Sequence, residues 1–207
     1  KLLIRTEDNM KNLKVYHKGL IVVDMVNGFV REGGLHDKRI EAVIPYQRKL
    51  LDQYVKDGEM ILFIKDCHEM DSVEHDRFGE IRHCIKGTTE AEIIDEFQPY
   101  LPLENVYTLE KNCTSFREAP GFTGLMEDAS NIDHLDVVGC CTDICVVNGV
   151  VGMMNYFDQN NRRVEVNVHQ EGIETYDAPY HDASLYSDAA YLLLAQQGAK
   201  VLRKEMN

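Results

Sequence analysis

The chain of 207 residues contains no apolar run near the ~20 residues that a membrane-spanning helix needs. Its first 18 residues are mixed and polar, without the apolar core of a secretory leader. Positive charge is scarce: 22 Lys and Arg stand against 35 Asp and Glu, for a net charge of −13. That balance argues against nucleic acid and against anionic membranes as partners, since both are gripped by clustered Lys and Arg. Proline is rare, and no low-complexity tract or linker divides the chain. These absences leave one soluble domain over 1–207, with 1–18 as an N-terminal extension, and a cytoplasmic location as the expectation. The six cysteines (Cys67, Cys84, Cys113, Cys140, Cys141 and Cys145) are expected as free thiols, because a chain this long builds its core without disulfides.

What is present is a regular alternation. β-rich apolar runs at Gly19–Asp24, Met60–Asp66, Asn105–Leu109, Leu135–Gly139, Arg163–Val168 and Ala199–Leu202 predict strands. Helical patterns separate most of them, at Glu41–Lys56, Thr89–Glu96, Gly121–Glu127, Thr142–Phe157 and Asp182–Gln197. Gly58 and Gly198 sit where helices stop. The order predicts an α/β fold: a parallel β-sheet of about six strands, flanked by helices on both faces. Two long irregular stretches, 29–39 and 67–88, interrupt the alternation, and such loops often carry function.

Open α/β sheets place their sites at the carboxyl ends of the strands. The first strand ends on Asp24, the second on Asp66 with His68 two residues on, and the third on Glu110-Lys111. The fourth leads through Cys140-Cys141-Thr142-Asp143-Ile144-Cys145 into a helix. Cys145, in the first helical turn, is expected to feel the helix dipole, which favours a thiolate. Asp24 and Lys111 could then serve as proton acceptor and cationic partner. A buried cysteine is also commonly a small hydrophobe, and placement alone favours that blander reading. Asp66 and His68 point the same way from a strand end, and with His83 they could hold Zn²⁺, Fe²⁺ or Mn²⁺. D-x-H arises often by chance, and by itself it reads more readily as solvated loop residues. The other histidines (His17, His36, His75, His134, His169 and His181) read as surface or loop residues. Cys67 and Cys113 read as packing residues, and Met153-Met154 as core.

Three segments carry a resemblance: Leu20–Phe29 (LIVVDMVNGF), Glu110–Phe116 (EKNCTSF) and Val138–Val146 (VGCCTDICV). Together they resemble the isochorismatase-like cysteine hydrolases. Asp66-x-His68 followed by His83-Cys-Ile-Lys-Gly-Thr88 narrows the resemblance to nicotinamidases, across nearly the whole chain from about Leu20 to Leu202. The resemblance implies a catalytic triad of Asp24, Lys111 and Cys145, and a thioester intermediate. It implies an oxyanion hole from the N–H groups of Cys141 and Cys145, with a cis peptide before Cys141. It implies one divalent metal, zinc or alternatively iron or manganese, on Asp66, His68 and His83. Asp76 is the expected fourth ligand, with Glu74 the alternative. Phe29 and Phe116 would line the substrate pocket. The implied reaction is hydrolysis of nicotinamide to nicotinate and ammonia by a homo-oligomer. Departures from the family pattern at Asn27, Cys140-Cys141 and Glu171–His181 leave open another small amide or carbamoyl substrate. A catalytically silent binding protein is the alternative from another class.

Overall fold

The computed structural model describes residues 14–203. Six strands form one parallel sheet: β1 (Lys18–Val23), β2 (Met60–Asp66), β3 (Val106–Lys111), β4 (His134–Cys140), β5 (Glu165–Glu174) and β6 (Lys200–Leu202), in the spatial order β3-β2-β1-β4-β5-β6. Four longer helices accompany it: α1 (Ile44–Asp57), α2 (Phe122–Asp128), α3 (Val147–Gln159) and α4 (Ala183–Gln196). The expected α/β architecture is the observed one. The first 13 residues, most of the expected N-terminal extension, lie outside the described residues. Among the described residues, no helix is long and apolar enough to cross a membrane.

The near-continuous apolar strands follow from having two covered faces. Along β1, Ile21 and Val23 join the core under α2, α3 and α4, while Leu20 and Val22 join the core under α1. β2 alternates likewise, with Met60, Leu62 and Ile64 on one side and Ile61 and Phe63 on the other. Each such side chain contributes about 1.5–3 kcal/mol through burial.

Helix ends obey local chemistry. Pro45 sits in the first turn of α1, where its missing N–H has no partner to lose. Gly58 ends α1 in the left-handed region at φ 68°. Asp182 caps α4, its side chain accepting from the N–H groups of Ser184 and Leu185.

Three expectations need correcting. Thr89–Glu96 is not one α-helix but two 3₁₀ turns, Thr89–Ala91 and Asp95–Tyr100. Between them Ile93 pairs with Val26, and Ile94 N–H donates to the Met25 carbonyl, so tertiary pairing overrides helix propensity. Thr142–Phe157 opens with a π-helical turn, Thr142–Val146, before α3 begins. β5 continues to Glu174, past a register shift in its pairing with β4 between Val137 and Gly139.

Candidate active site

Asp24 follows β1 immediately, with its backbone turned to φ 53°. Its N–H donates to the Ile64 carbonyl, and its own carbonyl accepts from Val26 N–H. Beside it, Gly139 lets β4 approach β1 closely: a Cβ there would stand 2.1 Å from the Val23 carbonyl oxygen. β3 ends on Lys111, and the turn after β4 carries Cys145.

All three side chains meet in a dry centre. Lys111 Nζ lies 2.9 Å from Asp24 Oδ2, 2.7 Å from Asp66 Oδ1 and 3.5 Å from Cys145 Sγ. Burial pushes the Asp24 carboxyl up to about 6, assisted by the nearby Asp66 charge and opposed by Lys111. Among the described residues Asp24 Oδ1 has no hydrogen-bond partner of ordinary geometry, and the neighbouring Cys145 thiol pulls the carboxyl slightly down. Burial works against the Lys111 cation too, but Asp24 and Asp66 outweigh it and hold the ammonium well above its ordinary value. Cys145 corrects the expectation of a lowered thiol. It is buried, and burial pushes its thiol well above the ordinary range, with Lys111 offsetting only part of the shift. It sits in a π-helical turn in front of α3, surrounded by core, rather than in the first turn of an α-helix as the sequence suggested.

The Cys140–Cys141 peptide is cis. The Cys141 carbonyl accepts from Ile144 and Val146 N–H groups at 3.2 and 3.1 Å, passing over the Cys145 N–H between them.

The second cluster shares Lys111 through Asp66. His68 Nε2 lies 2.9 Å and His83 Nε2 3.3 Å from Asp66 Oδ2. His68 Nδ1 donates to Asn112 Oδ1 at 2.7 Å, and His83 Nδ1 to the Ile81 carbonyl at 2.9 Å. Both rings thus direct Nε2 to the same point, an arrangement typical of metal-binding histidines. Burial would raise the Asp66 carboxyl, but Lys111, His68 and His83 outweigh it and hold it well below the usual range.

Asp76 is exposed and outside this cluster, whereas Glu74 is buried and belongs to it. The helical turn Glu74–Arg77 explains the difference, since residues two apart on a helix face nearly opposite ways. Glu74 Oε2 has no partner. Burial, then the Asp66 charge, raises its carboxyl.

His75, read from the sequence as a loop residue, is fully buried in the same place. Its ring centroid lies 4.9 Å from that of His68 and 5.1 Å from that of His83, and its Nε2 is unpartnered. The available signal was its position in the same irregular stretch as the D-x-H pair. Asp66, His68, Glu74 and His83 place four ligand atoms within 4.8 Å of one another, as do His68, His75 and His83 among themselves. Buried ligand atoms of this mixed oxygen and nitrogen chemistry, with Glu74 Oε2 and His75 Nε2 unpartnered, fit a divalent ion.

Phe29 borders the cluster, its ring centroid 5.8 Å from that of His83. Phe116 is placed differently from Phe29, in the core cluster that contains Cys145 rather than in the one that contains Phe29. It is fully buried in the core under α3, so close that a Cβ on Gly149 would fall 2.0 Å from its ring.

The isochorismatase domain model matches residues 18–205. Nicotinamidase 1 of Arabidopsis thaliana is 32% identical over 188 residues, covering 80% of this chain and 72% of that protein. The N-carbamoylsarcosine amidase of Thermoplasma acidophilum superposes with a TM-score of 0.72 at 25% identity, covering 92% of this chain and 98% of the other. A zinc complex of the pyrazinamidase of Pyrococcus horikoshii has the same fold, with a TM-score of 0.71 at 19% identity over 91% and 99% of the two chains. The chain belongs to the isochorismatase family of hydrolases, among relatives of amidase type.

Proposed function

We propose that the chain is a metal-assisted cysteine amidase that hydrolyses nicotinamide to nicotinate and ammonia. One observation carries the reading: Lys111 Nζ touches Asp24 of the thiol centre and Asp66 of the metal-type cluster, so the two clusters form one site. Cys145 is the nucleophile and rests as a thiol. Asp24, with a free oxygen and a carboxyl pushed up to about 6, takes the thiol proton as sulfur attacks the amide carbon. Lys111 stabilises the thiolate as it forms. The N–H groups of Cys141 and Cys145 hold the developing oxyanion. Asp24 then returns its proton to the departing nitrogen, and ammonia leaves a thioester. Water, deprotonated by Asp24, cleaves the thioester to the acid and restores the thiol. Asp66, His68, Glu74 and His83 would hold a divalent ion, zinc or alternatively iron or manganese, which supplies a Lewis acid for the ring nitrogen. Phe29 packs on the ring.

A second reading keeps the chemistry and changes the substrate to another small amide or carbamoyl compound. The observation favouring it is Tyr176, brought by the segment after β5 against the core that contains Cys140 and Cys141. The proposal extends to a cytoplasmic homo-oligomer serving NAD metabolism. Exposed Leu185, Leu192 and Leu193 on α4 support the oligomer.

The test is ammonia release across a panel of small amides, with metal analysis of the same sample. Nicotinamide is the expected best substrate, and Cys145→Ala abolishes turnover. Less than about a tenth of an equivalent of metal in active enzyme would remove the metal from the proposal.

A further inference from the structure

Asp143 lies two residues before Cys145 on the turn Thr142–Val146, and no step of the amidase chemistry uses it. Its carboxylate is nevertheless fully engaged. Oδ1 accepts from Thr175 Oγ1 at 2.6 Å, and Oδ2 from His181 Nε2 at 2.9 Å. The other nitrogen of His181, Nδ1, lies 3.0 Å from the Tyr176 carbonyl oxygen. Both ring nitrogens therefore face acceptors, Asp143 Oδ2 on one side and the Tyr176 carbonyl on the other. The ring is also clamped. Its centroid is 3.9 Å from that of Tyr176 at 12° and 3.9 Å from that of Tyr186 at 22°.

The segment that supplies this clamp is itself tied down. Ala178 and His181 exchange backbone hydrogen bonds of 3.0 and 2.8 Å. Asp177 N–H donates to Asp37 Oδ2 at 2.9 Å, and Asp177 Oδ1 accepts from Ala183 N–H at 3.0 Å. Thr175 and His181 are buried. A doubly donated carboxylate, a stacked imidazole and a braced loop converge on the turn that presents the nucleophile.

We propose that His181 is a positioning residue that acts through Asp143, with Thr175 as its helper, to hold the turn carrying Cys145 against Lys111 and Asp24. The inference deepens the amidase reading and rests on Cys145 being the nucleophile of that reading. It assigns the segment after β5 to the nucleophile rather than to the pocket wall alone.

The test compares His181→Phe, which keeps the stack and loses both hydrogen bonds, with His181→Gln, which restores a donor to Asp143. Asp143→Asn and the Asp143→Asn/His181→Phe double variant complete a cycle. In His181→Phe, kcat falls about ten- to a hundredfold, the scale expected when a reacting group is displaced by about 1 Å. KM stays within about twofold, because ground-state binding is not what the clamp supplies. His181→Gln recovers most of the loss, and the double variant is no worse than the worse single one. An unchanged kcat in folded His181→Phe, a loss confined to KM, or additive losses in the double variant each overturn the proposal. Should His181→Phe not fold, Thr175→Val removes the other donor and carries the same expectation. Cys145 alkylation by iodoacetamide, followed by mass spectrometry, reads the same geometry without a substrate. It slows about threefold or more in His181→Phe and Asp143→Asn, because less of the thiol reacts as thiolate away from Lys111. Slowed alkylation in a protein that ignores nicotinamide would refute the substrate and leave the clamp standing. Alkylation unchanged in both variants would refute the clamp.

Discussion

Asp24 and Asp136 are buried aspartates on adjacent central strands, Asp24 at the end of β1 and Asp136 within β4 opposite Leu20. Asp136 is surrounded by donors: Tyr54 OH at 2.7 Å, His169 Nε2 at 2.9 Å, His134 Nε2 at 3.1 Å and Asn167 Nδ2 at 3.2 Å. Burial opposes its charge, but the His169 and Tyr54 donors outweigh it and hold the carboxyl down to about 2. Asp24 is buried more deeply, has Lys111 beside it, keeps one oxygen unpartnered and is pushed up to about 6. The fold can satisfy a buried carboxylate when it needs a strut. At the strand ends it leaves one underserved beside a thiol, as the proposed proton transfer to and from Asp24 requires.

The comparison is broken most directly by removing each charge. Asp24→Asn lowers kcat about a thousandfold or more, since the proposed general base is lost, and moves the melting temperature by only a few degrees. Asp136→Asn does the reverse. Activity per folded molecule stays near wild type, while stability drops by about 2–4 kcal/mol, because hydrogen bonds to a charged group are replaced by weaker or mismatched ones. For a domain this size that is a fall of roughly 4–16 °C in melting temperature. Steady-state kinetics and thermal melts of the two variants decide it. Equal stability losses in both would mean that Asp24 is also a strut.

The pH dependence sharpens the same contrast, with a smaller effect. Between the ordinary aspartate value of 3.8 and about 6, folded Asp24 keeps a proton that the unfolded chain has released. Stability from this group is therefore full below the unfolded value and is lost as pH rises through about 6. Asp136 has the opposite sign: its contribution is present above 3.8 and is lost as pH falls toward about 2. Urea midpoints from pH 2.5 to 7 show a falling component that Asp24→Asn removes and a rising one that Asp136→Asn removes. In the wild type, kcat/KM climbs through about pH 6 as Asp24 becomes able to accept a proton. A flat kcat/KM between pH 5 and 8 would separate Asp24 from the role of base.

Strand ends were readable because apolar runs are contiguous and each stops on a polar residue: Asp24, Asp66 and Lys111 stand where the runs predict. The parallel order follows from alternation and needs no long-range information. What the sequence hides is direction. Whether Glu74 or Asp76 faces the metal-type cluster depends on the phase of one helical turn in an irregular loop. His75 joins the cluster by that same phase. The upward shift of Cys145 depends on how much core closes over it, which a local helix-dipole argument omits. The clamp on Asp143 joins β5, α4 and the nucleophile turn across separations of 32 and 38 residues, and no periodicity announces it.

Phe29 and Phe116 repeat the contrast at the scale of aromatics, with the smallest expected effects. The family resemblance implies both as pocket rings, just after β1 and β3. Phe29 sits on a helical turn beside His83. Phe29→Ala therefore raises KM several-fold for an aromatic amide and leaves kcat closer to wild type, because the ring holds ground state and transition state equally well. Phe116 fills the space that Gly149 leaves on α3 and lies edge-tilted against Phe122 at 5.9 Å. Phe116→Leu keeps an apolar side chain there but loses part of the ring's volume, so it lowers stability by about 1–2 kcal/mol, or roughly 2–8 °C. Its KM is expected to stay unchanged, because the ring packs against Gly149 and Phe122 in the core. A KM shift in Phe116→Leu without a melting shift would place that ring in the pocket and reopen the boundary between core and site.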